Sequence, residues 1–236
     1  MTPTAPRTVR IPPTPPPSRG RTGPALLVGG GVLLVVAAAA VGAAALGATT
    51  AASLRGATSS ETVPGVRELV VDVDEGSIAL TAAAGPDVEV RTTRVWRPGY
   101  EPVVERGLVD GVLTLTSDCA PFNLGCEVER AIAVPAGTAV SVRTVAGGID
   151  AVGLDVPRFS AATVEGGVTA AFVRPPDDVR VQTVAGAVRV DVPEAAYGVS
   201  ATTVSGPVAV DLPDDPTADR AIAVRTVAGA IDISPR

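Results

Sequence analysis

The chain has 236 residues, with 25 acidic residues against 19 basic ones, and it contains no His. Every basic residue is Arg, so there is neither imidazole nor lysine amine to act as a general base, metal ligand or amine nucleophile. Residues 56–236 hold 14 Arg against 25 acids, a net charge of −11, and such a surface repels nucleic acid.

Residues 1–23 form a Pro-rich tract with four Arg and no acid, too poor in apolar bulk to pack a core. It is expected to be a disordered cytoplasmic tail. Pro12 to Pro15 fits P-x-x-P, although a plain Pro-rich linker accounts for it. No charged residue lies between Arg21 and Arg55, and Ala25 to Leu46 is almost wholly apolar. At helical rise that run crosses a hydrocarbon core about 30 Å thick, so residues 24–48 are expected to span the lipid bilayer. Arg7, Arg10, Arg19 and Arg21 before the run, against Arg55 after it, put the N-terminus in the cytoplasm and the C-terminal domain outside the cell. A cleaved signal peptide is the alternative, and it exports the domain equally. Residues 49–64 are small and polar and read as a flexible stalk, with folded structure in 65–236.

From Leu69 to Leu80 apolar and polar residues alternate on both sides of an acidic corner containing Gly76, the period-2 pattern of half-buried strands. Asp72, Asp74 and Glu75 lack the spacing of a calcium loop and read as solvated strand positions. Val88 to Arg91 and Gly111 to Thr116 continue the strand pattern. Between them lies the only Trp, Trp96, expected to plug the core in an excursion from the repeats. Cys119 and Cys126 are the only cysteines, and outside the cell they are expected to form a disulfide across the turn containing Pro121, Asn123 and Gly125.

A Thr-Val-x-Gly-x-Val/Ile unit then begins at Thr144, Thr163, Thr183, Thr203 and Thr226, at intervals of 19, 20, 20 and 23 residues. Such spacing predicts an all-β fold, a β-solenoid in which rungs of about 20 residues bury their apolar faces by stacking. Counting back by twos from each Thr gives Val140 and Val142, Phe159 and Ala161, Val179 and Val181, Val199 and Ala201, Ile222 and Val224. This parity is the core; the other, with Arg143, Gln182 and Arg225, is the surface. The five threonines are expected to stack in a buried column, and Gly147, Gly166, Gly186, Gly206 and Gly229 to form the corners. Val145, Val164, Val184, Val204 and Val227 fall on the outward parity although all are apolar. Either the chain bends there and returns them to the core, or they form an exposed stripe for partner binding or dimerisation. The chain stops soon after Ile231 to Ile233, so the C-terminal rung is expected to leave an open edge through which copies oligomerise.

Catalysis finds little to stand on. Paired acids at Asp177-Asp178 and Asp214-Asp215 raise a carboxylate-based polysaccharide hydrolase, yet both pairs sit beside prolines and read as solvated turns. No phosphate-binding Gly loop opens a helix, and no cofactor site is predicted.

The stretch Ile132 to Ile149, reading Ile-x-Val-Pro-x-Gly-x-x-Val-x-Val-x-Thr-x-x-Gly-x-Ile, follows the Cys119/Cys126 pair and precedes the Thr-x-x-Gly rungs. In combination these resemble the bacterial β-strand-repeat proteins called putative adhesins, or toast-rack domains, over roughly Val66 to Arg236. The resemblance implies a single-stranded β-helix-like fold on the outer side of the membrane and, in some relatives, an association with envelope-stress signalling. Many relatives carry Ser after the Thr and an acidic or amide residue after the Gly. Here Val follows each Thr, and Gly, Ala or Pro follows each Gly, so a polar corner ligand site does not carry over. Two readings follow: a non-catalytic binding, adhesion or sensing module for an envelope protein or polymer, or a self-assembling structural element.

Overall fold

The structure is a computed structural model that describes residues 54–119 and 125–236, which belong to one compact unit. The Pro-rich tail and the apolar segment expected to span the bilayer lie outside the described residues. Among those described there is no helix, and strands follow one another throughout. The first seven are β1 (Arg55–Val63), β2 (Glu68–Glu75), β3 (Ile78–Ala82), β4 (Val88–Trp96), β5 (Val103–Val109), β6 (Val112–Asp118) and β7 (Glu127–Val134). The Thr-x-x-Gly repeats follow as five pairs. These are β8 (Ala139–Ala146) with β9 (Ile149–Leu154), β10 (Arg158–Glu165) with β11 (Val168–Phe172), and β12 (Asp178–Ala185) with β13 (Val188–Val192). The last two pairs are β14 (Gly198–Ser205) with β15 (Val208–Val210) and β16 (Ala221–Ala228) with β17 (Ile231–Pro235).

Each pair gives one strand to each of two mixed sheets. The first runs β1-β4-β7-β3-β9-β11-β13-β17-β15 and the second β14-β16-β12-β10-β8-β2-β6-β5. Pairing is parallel through the repeats and antiparallel where β1, β4 and β5 join. The inner faces meet in one core, where the ring of Phe159 on β10 meets that of Phe172 on β11 edge to face at 5.5 Å. Strand parity agrees with the sequence: Val140, Val142, Phe159, Ala161, Val179, Val181, Ile222 and Val224 are all buried.

Two expectations are corrected. Residues 55–63 are not a stalk but β1, paired antiparallel with β4 in register from Arg55 opposite Trp96 to Val63 opposite Val88. An edge strand of small hydroxyl residues needs little apolar surface, because β4 pairs half of its backbone groups and water reaches the rest, and only Val63 of β1 is buried.

The second correction concerns the end of the stack. The C-terminal pair is not terminal in space: β16 lies between β12 and β14, and β17 between β13 and β15. The open edge there belongs to β14 and β15. Burial explains the order, since the last pair brings Ile222, Val224, Ile231 and Ile233, each 2% exposed or less, to the inner slot. The preceding pair brings Ala201, Val208 and Val210 to the outside. The crossing is held by Tyr197, which is fully buried and donates its hydroxyl to the Pro193 carbonyl at 2.9 Å, while the Tyr197 carbonyl accepts from Asp215 N.

Candidate functional site

The predicted threonines and glycines come together as two adjoining columns. Thr163 lies opposite Thr144 on one side and Thr183 on the other, and Thr203 lies opposite Thr226. Each hydroxyl donates to a glycine carbonyl in the neighbouring pair of strands: Thr144 to Gly76, Thr163 to Gly147, Thr183 to Gly166, Thr226 to Gly186 and Thr203 to Gly229, at 3.1–3.3 Å. The glycines are required by this same approach. A Cβ on Gly147, Gly166, Gly186, Gly229 or Gly206 would run into the carbonyl oxygen of the glycine beneath it. These two columns are structural, and they fix the spacing of what lies outside them.

One residue beyond each threonine stands the valine column. Val145, Val164, Val184 and Val227 are 44–47% exposed, and Val204 at the edge is 83% exposed. The chain does not bend them back into the core. A strand alternates faces strictly, and with the preceding threonine held inward by its hydrogen bond the valine must face out. The column is flanked by small residues on the corner side, Ala146, Ala185, Ala228 and Ser205, with Glu165 the one charge among them.

At one end the column runs into acids. The register of β2 with β8 and β6 sets Asp74 beside Val145 and then Asp118 beside Asp74. Burial, then the hydrogen bond and negative charge of Asp118, then Asp72 and Glu75, raise the Asp74 carboxyl above its ordinary value. Among the described residues no group of three or more His, Cys, Asp or Glu side chains is arranged to hold a metal ion.

The paired acids singled out as hydrolase candidates are taken up locally. Asp178 pairs with Arg180 at 3.0 Å, and Asp177 stands 3.9 Å from Arg220. Asp214 accepts the Val199 N–H at 2.9 Å, while Asp215 accepts both the backbone N–H and hydroxyl of Thr217, which hold its carboxyl below the usual range. The Cys119–Cys126 disulfide, Cα to Cα 5.9 Å, closes the passage from β6 to β7. Other pairs turn from one sheet to the other at this point through a glycine.

One feature escaped the sequence reading. Arg130 on β7 is only 2% exposed, its guanidinium donating to Thr92 Oγ1 and the Thr116 carbonyl, and burial pushes its pKa down to about 10. The signal was present, since Val128, Arg130 and Ile132 share one parity, but alternation alone cannot say that a charge sits at a core position. Trp96 is buried as expected, although it lies apart from the main cluster under the guanidinium of Arg94, 5.6 Å from the ring centre.

A solved putative cell adhesion protein from Clostridium sporogenes superposes on 77% of this chain and all of its own, with a TM-score of 0.59 and 12% identity. The chain has the putative-adhesin fold. Putative adhesins from Bacteroides fragilis and Parabacteroides merdae also match, covering 77% and 76% of this chain and 97% and 78% of their own, at 11% and 12% identity and TM-scores of 0.32 and 0.31. At 12% identity the likeness to the Clostridium sporogenes protein concerns fold alone. It agrees with the resemblance carried by the Thr-x-x-Gly rungs. No family model matches the chain, and no curated protein matches it.

Proposed function

We propose that this chain is a single-pass envelope protein displaying a β-solenoid that binds an envelope protein or polymer, as an adhesion or sensing module, without catalysis. In this reading residues 24–48 cross the membrane with the N-terminus in the cytoplasm, and the strands from β1 onward stand outside the cell. The reading rests above all on one observation: five valines at equivalent repeat positions face solvent in a single column. With windings about 4.8 Å apart the column is on the order of 19 Å long, enough to seat an extended segment of a partner. The disulfide fits an oxidising compartment, and the shared fold of the Clostridium sporogenes protein supports a binding role over an enzymatic one.

The test is crosslinking in intact cells from a photoreactive residue at Val184. A reproducible hetero-partner, lost when Val164→Asp and Val227→Asp are combined, is the expected result. Self-crosslinks alone at native abundance would replace this reading with a self-assembling structural element.

A further inference from the structure

The outward face of the first sheet holds a cleft of about 490 Å³ over β4, β7 and β3, away from the valine column, which stands on the second sheet. Small residues make its floor. In register, Arg91 and Glu89 of β4 lie opposite Ala131 and Ala133 of β7, and these lie opposite Ala79 and Thr81 of β3. On the far side β9 raises the larger Asp150 and Val152 in the same two rows. Two strands of short side chains between taller neighbours make a trough, about 14 Å across at the usual strand spacing.

The charges on its near wall behave unlike their counterparts elsewhere. Three strands set an acid and an Arg two residues apart on the outward face: Asp178 and Arg180 on β12, Arg189 and Asp191 on β13, and Glu89 and Arg91 on β4. The first two pairs close, at 3.0 and 3.2 Å. The pair on β4 does not: both side chains are exposed, and neither makes an ion pair or a side-chain hydrogen bond among the described residues. Two opposite charges thus stand over the trough with their bonding capacity unused, their Cα atoms roughly 7 Å apart along the strand.

We infer that this cleft binds a small zwitterionic amino compound, its carboxylate on Arg91 and its primary ammonium on Glu89. A lone anion would meet Glu89, Asp150 and the negative charge of the whole unit, and a lone cation would meet Arg91. A ligand that carries both charges a few ångströms apart is neutral overall and satisfies both walls of that choice. The guanidinium fork matches a planar carboxylate through two parallel N–H donors, which fixes the ligand's orientation. The nitrogen must bear protons. No aromatic ring lines the cleft to face a quaternary ammonium, whereas the Glu89 carboxylate and the hydroxyl of Thr62, opposite it on β1, offer oxygens to N–H donors. The alanine floor leaves room for the ligand's own side chain. Because the trough is open and its charges stay hydrated, binding is weak, in the millimolar range.

The test is a saturation-transfer NMR titration of the full chain in detergent, with L-alanine as the probe. Alanine should bind saturably. N-acetylalanine, which lacks the cation, alaninamide, which lacks the anion, and glycine betaine, whose nitrogen has no N–H, should each bind at least about tenfold more weakly. Glu89→Gln and Arg91→Gln should each weaken alanine by at least about tenfold, with strand content by circular dichroism unchanged because both positions are exposed. Exchanging the charges, Glu89→Arg with Arg91→Glu, should restore binding, since the ligand need only turn round. Absence of saturable alanine binding overturns the inference, as does N-acetylalanine or betaine binding as tightly as alanine, or alanine binding that survives Arg91→Gln. Crosslinking from Val184 reports on the other sheet, so either result stands without the other.

Discussion

The hydroxyl of Thr183 donates to the carbonyl oxygen of Gly166 at 3.1 Å, and Gly186, three residues on, lies so close to that same oxygen that it can carry no side chain. One carbonyl thus dictates two residues of the next repeat, which is why Thr and Gly recur three apart. Removing the hydroxyl by Thr183→Val costs about 1 kcal/mol, the net worth of one hydrogen bond. Gly186→Ala drives a methyl into backbone that has nowhere to go and costs more, at least about 3 kcal/mol. Chemical denaturation of the two variants checks the order, and a Gly186→Ala chain as stable as Thr183→Val would break the account of the columns.

The disulfide stands where other strand pairs turn on a glycine, and it closes a short loop between β6 and β7. By the chain-entropy relation a loop of this length contributes about 2.5 kcal/mol. Replacing both Cys119 and Cys126 by Ser should lower the unfolding free energy by about that amount, and reductant should lower the native chain equally while leaving the double variant unchanged. Denaturation with and without reductant makes the comparison.

What could be read from the sequence was what repeats. The five threonines announce the inward parity, and Phe159, Val181 and Ile222 follow it into the core. Register within a sheet is local and regular, so counting by twos suffices. The order of the strand pairs is another matter: whether β14 or β16 lies beside β12 is a choice between distant strands, and periodicity is blind to it. A clue lay in composition, since Ile222, Ile231 and Ile233 are bulkier than Val199, Val208 and Val210, their counterparts in the preceding pair, and bulk goes inside. The extra residues before Thr226 are the length of chain that crosses back. The same blindness hid β1, whose small polar residues read as a stalk until β4 supplied a partner. At the candidate site, the valine column was visible as a column, but its side was not, because a bend after each threonine would have reversed it.

Where the valine column meets Asp74, pH should act in a defined direction. The Asp74 carboxyl is raised above 3.8 by burial first and then by Asp118, so the folded chain binds that proton more tightly than the unfolded one. Stability from this group is therefore lost as pH rises through the window just above 3.8, and it is unfavourable at neutral pH. Asp74→Asn should raise Tm at pH 7, and the gain over the native chain should shrink as pH falls toward 4. The neighbouring acids Asp72, Glu75, Glu105 and Asp118 are present in both chains. An equal Tm difference at both pH values would sever Asp74 from its neighbours.

The winding order itself can be tested with two alanines. Ile231 on β17 and Val208 on β15 lie opposite each other in register, yet Ile231 is 1% exposed and Val208 is 45% exposed. Because β17 has neighbours on both sides, truncating Ile231 leaves a cavity inside the core, and Ile231→Ala should cost about 2–5 kcal/mol. Val208 sits on a strand whose one partner among the described strands is β17, so Val208→Ala should cost under about 1 kcal/mol. Were the C-terminal pair the outermost one, the larger loss would fall on Val208. Measuring both unfolding free energies therefore decides which strand is buried.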